Sequence, residues 1–365
     1  MNNRNDSPPE EIEGLGTDED AGWGDYPIDT LLIRHEARTV HDVVRRIKQG
    51  SFVMNPDFQR EFIWDDEKQS KLIESVLMRI PLPVFYLAED NEGRMIVVDG
   101  LQRLSTFARY IDNGLELKLP KQQELDGKKF EDLSPKLQNR VEDCNLVLYI
   151  VDAKVPERAR LDIFDRVNSG VPLTRQQMRN SLFMGPGTIF LKEEASTEIF
   201  RQATGNSLRS NTMRDREFIN RFCAFRLLPI DSYNNRDEMD GFLARALIHM
   251  NQLPEEELRT LSAEFRLSMH NNLMVFGDQS FRKHQPGKER RSVLNASLWD
   301  VLSTGLSRFP EEVVLAHKEA LLHRYYGLMK DEAFIRSITY GPNTAKEVQH
   351  RFSVMARTLA EVFDA

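Results

Sequence analysis

The residues best suited to chemistry lie in the run Val97-Val98-Asp99-Gly100-Leu101-Gln102-Arg103-Leu104. An apolar strand pattern ends there in Asp-Gly and passes straight into a helical pattern. A helix start carries free backbone N–H groups and partial positive charge, which suits an anion such as a phosphate. Gly100 leaves room for a ligand to approach the backbone. Arg103, in the first turn, has the forked donors that match phosphate oxygens, and Gln102 can hydrogen-bond a phosphate or orient a water. Asp99 beside a phosphate would repel it unless a cation sat between them, which makes Asp99 a candidate Mg²⁺ ligand. Asp99, Gln102 and Arg103 are therefore candidate catalytic residues, and Gly100 a nucleotide-binding one. The bland alternative has Asp99 as a helix cap and Arg103 as a surface residue.

Two other segments carry weaker signals. In Asn55-Pro56-Asp57-Phe58-Gln59-Arg60-Glu61-Phe62-Ile63-Trp64, the pair Gln59-Arg60 stands between aromatics ahead of a helix. Arg60 can serve as a second phosphate ligand with Gln59 beside it. The alternative makes Phe58, Phe62 and Trp64 core residues and pairs Arg60 with a nearby acid. In Phe164-Asp165-Arg166-Val167-Asn168-Ser169-Gly170, Asn168 and Gly170 suit a left-handed helix stop; Asn168 can also offer its amide to a base or ribose. A basic run of Arg282, Lys283, Lys288, Arg290 and Arg291 around Pro286-Gly287 has the look of an exposed loop. It is either a nucleic-acid contact or a solvated surface.

Several familiar sites are missing. The sequence has no G-x-x-x-x-G-K-[ST], no G-x-G-x-x-G after a strand, no H-E-x-x-H and no G-x-S-x-G. Its two cysteines, Cys144 and Cys223, set neither a disulfide framework nor a zinc spacing.

The elements that must position these residues can be read from periodicity. Strands are predicted over 26–34, 84–88, 94–98 and 146–151, and helices over 39–49, 65–79, 100–112 and 156–167. Thr39 and Asp65 stand at helix starts, and Pro81 and Pro83 end the second helix. Beyond about residue 173 nearly everything reads as helix: 174–183, 214–228, 238–251, 255–268, 294–306, 311–329 and 345–363. The expected organisation is a disordered acidic tail (1–25), a mixed α/β nucleotide-binding domain (26–172) and a helical domain (173–365), an α+β chain.

Residues 1–30 hold nine acids and one base, Arg4. The net charge of −8 therefore sits entirely in these thirty residues, and the remainder is neutral on balance. A neutral body argues against indiscriminate DNA binding, which rests on neutralising phosphates, but leaves room for a local basic site. No apolar run approaches the ~18 residues of a membrane span, and the first residues lack an apolar signal core. The expected location is the cytoplasm.

Taken together and in order, the signals resemble the N-terminal domain of GmrSD-type restriction systems (domain of unknown function 262). The family pattern has P-x-F-Q-R followed by Trp, then I-P-x-P, then D-G-Q-Q-R-L, then F-x-x-x-N-x-G-x-x-L. This chain has Pro56, Phe58, Gln59, Arg60 and Trp64; Ile80-Pro81-Leu82-Pro83; Asp99-Gly100-Leu101-Gln102-Arg103-Leu104; and Phe164, Asn168, Gly170 and Leu173. The resemblance implies a ParB/sulfiredoxin-like α/β domain that binds and hydrolyses nucleoside triphosphates through the D-G-Q-Q-R segment, in a phage-defence setting. Many relatives also carry an HNH-type nuclease module, which is not visible here, so nuclease activity is not expected. Two positions depart from the pattern: Leu101 replaces the first Gln of D-G-Q-Q-R, and Gln177 stands where the family often has an acid. Two readings follow. One is a Mg²⁺-dependent NTPase working with a separate effector protein; the other is a non-catalytic regulatory module that binds nucleotide, DNA or a partner protein.

Overall fold

A computed structural model describes residues 12–13, 15, 33–54, 64–90, 92–155, 159–160, 163–164, 174–234, 238–287 and 291–363. The chain divides into two compact units. One spans residues 25–182; the other spans 183–365, to which residues up to 24 are joined.

The first unit is built on a five-stranded mixed sheet. Its strands are β1 (Ile33–Thr39), β2 (Phe52–Val53), β3 (Phe85–Glu89), β4 (Met95–Asp99) and β5 (Asn145–Val151), in the order β1-β5-β3-β4-β2. β5 runs antiparallel to β1 and parallel to β3, while β4 is antiparallel to β3 and parallel to β2. The helices are α1 (Val40–Lys48), α2 (Asp66–Leu77), α3 (Leu101–Ile111), α4 (Pro135–Glu142) and α5 (Arg175–Leu182). Local chemistry accounts for their starts. Thr39 Oγ1 accepts the Asp42 N–H at 3.2 Å, and Asp65 Oδ1 accepts the Lys68 N–H at 2.8 Å, each removing one of the orphan donors of a helix N-terminus.

Strand alternation gives the sheet two faces. Phe85, Leu87, Val97, Leu146, Leu148 and Ile150 form one core with Val43, Ile73, Val76, Leu104 and Phe107 of the helices. Ala88, Ile96 and Val98 are also buried but lie outside that cluster, and α5 packs against β4. The first helix after the change in character thus falls in the sheet unit, which ends at residue 182. Some element bounds shift. The first strand was expected over 26–34, but β1 begins at Ile33; residues 26–32 lie outside the described residues, as does most of the expected helix 156–167. The short strand β2 and the helix α4 carried no periodic signal of their own.

The second unit is helical: α6 (Pro186–Ala195), α7 (Glu198–Thr204), α8 (Arg214–Leu227), α9 (Glu238–Met250), α10 (Glu255–Phe276), α11 (Ala296–Leu306), α12 (Glu311–Ala316), α13 (Lys318–Leu328), α14 (Glu332–Ser337) and α15 (Ala345–Phe363). The single helix expected over 311–329 is broken at His317 into α12 and α13. Among the described residues, no helix is long and apolar enough to cross a membrane.

The centre of this unit is α11. Trp299 is fully buried, packs against the rings of Phe218 and Phe281, and donates its indole N–H to the Phe218 carbonyl at 2.7 Å. The next residue, Asp300, is also fully buried and receives two arginines. Arg221 forks onto both of its oxygens at 2.8 and 2.7 Å, and Arg351 reaches Oδ2 at 2.8 Å. Burial opposes the charge on Arg221, but Asp300 more than compensates and holds that guanidinium above its ordinary pKa. Arg351 is pushed below its own by burial, helped by repulsion from Arg221. One carboxylate thus serves two buried cations. Asp300→Asn should cost about 3–5 kcal/mol in urea unfolding, the scale for breaking a buried ion pair from one side. A loss under about 1 kcal/mol would show that the triad is not what holds α8, α11 and α15 together.

Candidate functional site

The Asp99–Arg103 segment occupies the junction anticipated from its sequence: β4 ends at Asp99 and α3 begins at Leu101. The side chains are used differently from expectation. Arg103 is only 8% exposed. Its Nη2 donates to Asp99 Oδ2 at 2.8 Å and to the Val84 carbonyl at 3.1 Å, and its Nη1 donates to the Pro83 carbonyl at 2.5 Å. The guanidinium also lies over the Phe85 ring, 4.2 Å from its centroid, a cation–π geometry. Burial lowers the Arg103 pKa, and Asp99 opposes that shift. The guanidinium fork grips the C-terminal residue of β4 and the chain entering β3. The reason is electrostatic: two carbonyls left unpaired beside Phe85 need donors, and Asp99 needs a counter-charge. The surface-residue alternative for Arg103 is corrected by its burial.

Gly100 has φ +99°, in the left-handed region, and a Cβ there would meet the Phe85 ring at 2.3 Å. Its glycine character is thus required by the turn and by close packing on Phe85. Among the described residues no side chain caps α3 or accepts from the N–H groups of its first turn. Asp99 is therefore not the helix cap of the bland reading.

Gln102 joins two of the sequence signals. Its Oε1 accepts the Trp64 backbone N–H at 3.0 Å, and the Trp64 carbonyl in turn accepts from Gln69 Nε2. Trp64 itself packs, partly buried, against the core, as the core reading of that residue expected. Gln59, Arg60 and Asn168 lie outside the described residues. Gln177 closes a capping box on α5: its Oε1 accepts the Thr174 N–H at 2.8 Å, and its own N–H donates to Thr174 Oγ1 at 3.2 Å. The position where relatives often have an acid is thus occupied by a cap on the helix that packs against β4.

An aromatic row on the sheet has no local sequence signal. Tyr86 is the register partner of Asp99 across β3 and β4, Tyr149 is the partner of Tyr86 across β5, and His35 that of Tyr149 across β1. The Tyr86 and Tyr149 rings stack at 5.6 Å with 21° between planes. An aromatic row thus crosses the sheet in line with Asp99. Only strand pairing could reveal it, because the three residues are far apart in the sequence.

In the basic run, the structure corrects the expectation at Arg282, while Arg291 is exposed. Arg282 is fully buried and donates to the carbonyls of Ser292 and Thr204 and to Ser207 Oγ. Lys283 Nζ is held by Glu13 Oε1 at 2.5 Å and Thr339 Oγ1 at 2.6 Å. Arg291 reaches the Thr204 and Gly205 carbonyls and Ser207 Oγ. Arg282 and Arg291 thus serve as donors to backbone carbonyls, and Lys283 to a carboxylate and a hydroxyl. Lys288 and Arg290 lie outside the described residues.

A mixed sheet with an uncapped strand-to-helix turn, backed by a helix from beyond the last strand, defines a small α+β domain with its polar motif at the end of β4. Residues 40–184 match the family model described as GmrSD restriction endonuclease, N-terminal domain, and this domain belongs to that family. No curated protein matches the chain.

The geometry makes two substitutions informative. Gly100→Ala should cost roughly 1–3 kcal/mol, the scale of a strained backbone position, and replacing Phe85 by Leu should restore only the part due to the clash. Arg103→Ala should lower unfolding stability by about 1.5–3 kcal/mol, as expected for lost charged hydrogen bonds. Arg103→Lys should recover a fraction, because an ammonium lacks the planar fork. Unfolding curves for Arg103→Ala that superimpose on the parent's would mean the guanidinium is not the clamp described.

Proposed function

We propose that the α+β domain binds a nucleoside triphosphate at the turn between β4 and α3, with Mg²⁺, and hydrolyses it as the nucleotide-responsive part of a restriction-type, phage-defence system. The observation that carries this reading is the uncapped start of α3 beside Asp99. An eleven-residue helix with, among the described residues, no side chain on its first-turn N–H groups presents both the donors and the dipole that a phosphate takes up. The Gln102–Trp64 hydrogen bond supports it, because it ties the P-x-F-Q-R-to-Trp segment to the same turn. Arg60 is only four residues upstream, within about 14 Å of extended chain from Trp64, so a second cation on the phosphates is within reach.

Asp99 suits a Mg²⁺ ion in one respect. Arg103 engages Oδ2, which leaves Oδ1 for a second cation. Among the described residues no group of three or more metal-ligating side chains is present, so the remaining ligands would be phosphate oxygens and water, the usual habit of Mg²⁺. The ion would neutralise phosphate charge next to the carboxylate. The base would rest against the Tyr86–Tyr149 pair; β5 stands two strand spacings, roughly 10 Å, from β4.

A specific observation favours a second reading, a non-catalytic regulatory module that binds nucleotide and signals to a separate effector protein. Arg103 is committed to Asp99, Pro83 and Val84, and Gln177 to a helix cap, so two positions associated with turnover in the family are structural here. The two readings share the site and differ in phosphate release.

Calorimetric titration with each of the four ribonucleoside triphosphates, with and without Mg²⁺, should show saturable binding of at least one. Released phosphate then separates enzyme from regulator. Asp99→Asn should reduce turnover more than affinity. Tyr149→Ala should weaken binding roughly tenfold, within the range of one base–aromatic stack. Absence of binding by all four nucleotides at millimolar concentration would remove both readings.

A further inference from the structure

We propose that the helical unit contains a peptide-binding slot at the start of α11, and that the chain's own N-terminal segment around Glu13 is its tethered ligand. The segment was expected to be disordered, yet Glu13 is built into a β-bridge. It pairs in parallel with Asn295, whose neighbour Leu294 pairs on its other side with Arg282. The Glu13 N–H donates to the Leu294 carbonyl at 2.9 Å, and the Glu13 carbonyl accepts the Ala296 N–H at 2.8 Å.

Those two acceptor and donor groups explain why the slot needs an occupant. Leu294, Asn295 and Ala296 are all fully buried. Ala296 is the first residue of α11, and its N–H is one of the donors that a helix start cannot satisfy internally. Asn295 caps the helix through the Leu298 N–H at 2.8 Å and anchors itself on the Ile338 carbonyl at 2.9 Å, so it leaves Ala296 to the N-terminal segment. Without Glu13, a buried N–H and a buried C=O lose their partners, at the start of the helix that carries Trp299 and Asp300.

Side chains add selectivity. Glu13 Oε1 meets Lys283 Nζ at 2.5 Å, and Thr339 Oγ1 holds the same ammonium. Asn343 Nδ2 donates to the Leu15 carbonyl at 2.8 Å. The slot therefore reads an extended backbone plus one carboxylate, the recognition mode in which main-chain hydrogen bonds supply affinity and a side-chain contact supplies specificity. Its ligand class is an extended acidic peptide with a glutamate opposite Lys283. Occupancy in cis links the state of the N-terminal segment to the stability of the helical unit.

The test uses the chain lacking residues 2–24, with a synthetic peptide of residues 8–20 as the probe. The truncated protein should unfold several degrees below the full chain. The peptide should bind it with one-to-one stoichiometry and raise its Tm, while binding the full chain far more weakly because the slot is filled. A peptide carrying Glu13→Lys should bind roughly tenfold more weakly, the scale of one charged contact, and recover on a truncated Lys283→Glu protein. Should the truncated protein not fold, the same charge reversals in the full chain decide the matter. Glu13→Lys and Lys283→Glu should each lower the Tm, and the double reversal should restore much of the loss. An unchanged Tm on truncation with no peptide binding, or additive losses in the double reversal, would overturn the proposal.

Discussion

The sheet unit depends on where one buried guanidinium finds its acceptors. Arg103 stands at the first turn of α3 and reaches back to Asp99 at the end of β4 and to the Pro83 and Val84 carbonyls just before β3. It therefore fixes the ends of two neighbouring strands at the point where the candidate ligand site opens. Phe85 supplies the surface on which the guanidinium lies, and Gly100 is compelled to be glycine because that same ring fills the space a Cβ would take. The shape of the D-G turn follows from these contacts. Among the described residues no side chain takes up the first-turn N–H groups of α3.

The helical unit solves a comparable problem with different groups. Asp300 neutralises only one of the two buried arginines it serves, which makes α11 an element that α8 and α15 must approach in a defined geometry. A buried charge cluster of this kind is a weak source of net stability, because desolvation offsets much of the attraction, but breaking it from one side is costly. The β-bridge at Glu13 extends the same logic to the start of α11, where backbone donors and acceptors in a dry environment require partners.

The family match spans the junction between β4 and α3. The match covers residues 40–184, which include β4, the turn and α5, and the hydrogen bond from Trp64 to Gln102 joins two of the motif segments in space. The two departures from the family pattern differ in kind. Leu101 is partly buried and packs against the core, so an apolar residue there serves the fold. Gln177 caps α5 with an amide where a carboxylate could also have capped.

Local chemistry determined much of this protein before any tertiary contact was considered. Helical spacing marked α1, α2 and α3; Thr39 and Asp65 marked two of their starts; and Asp-Gly marked the strand-to-helix turn. These features depend on residues a few positions apart, so they are written in the sequence. What tertiary structure alone decided is which partners the polar side chains take. Arg103 meets carbonyls about twenty residues away, Arg282 meets Thr204 and Ser207 some seventy-five or more residues away, and Lys283 meets Glu13 across 270 residues. A linear run of arginines and lysines looks like a solvated surface because charge is visible in sequence and burial is not. Strand order likewise placed His35, Tyr149, Tyr86 and Asp99 in one row, and packing against β4 placed α5 with the sheet. Each of these outcomes follows from hydrogen-bonding groups that must find a partner once water is excluded, and the identity of that partner is set by the fold.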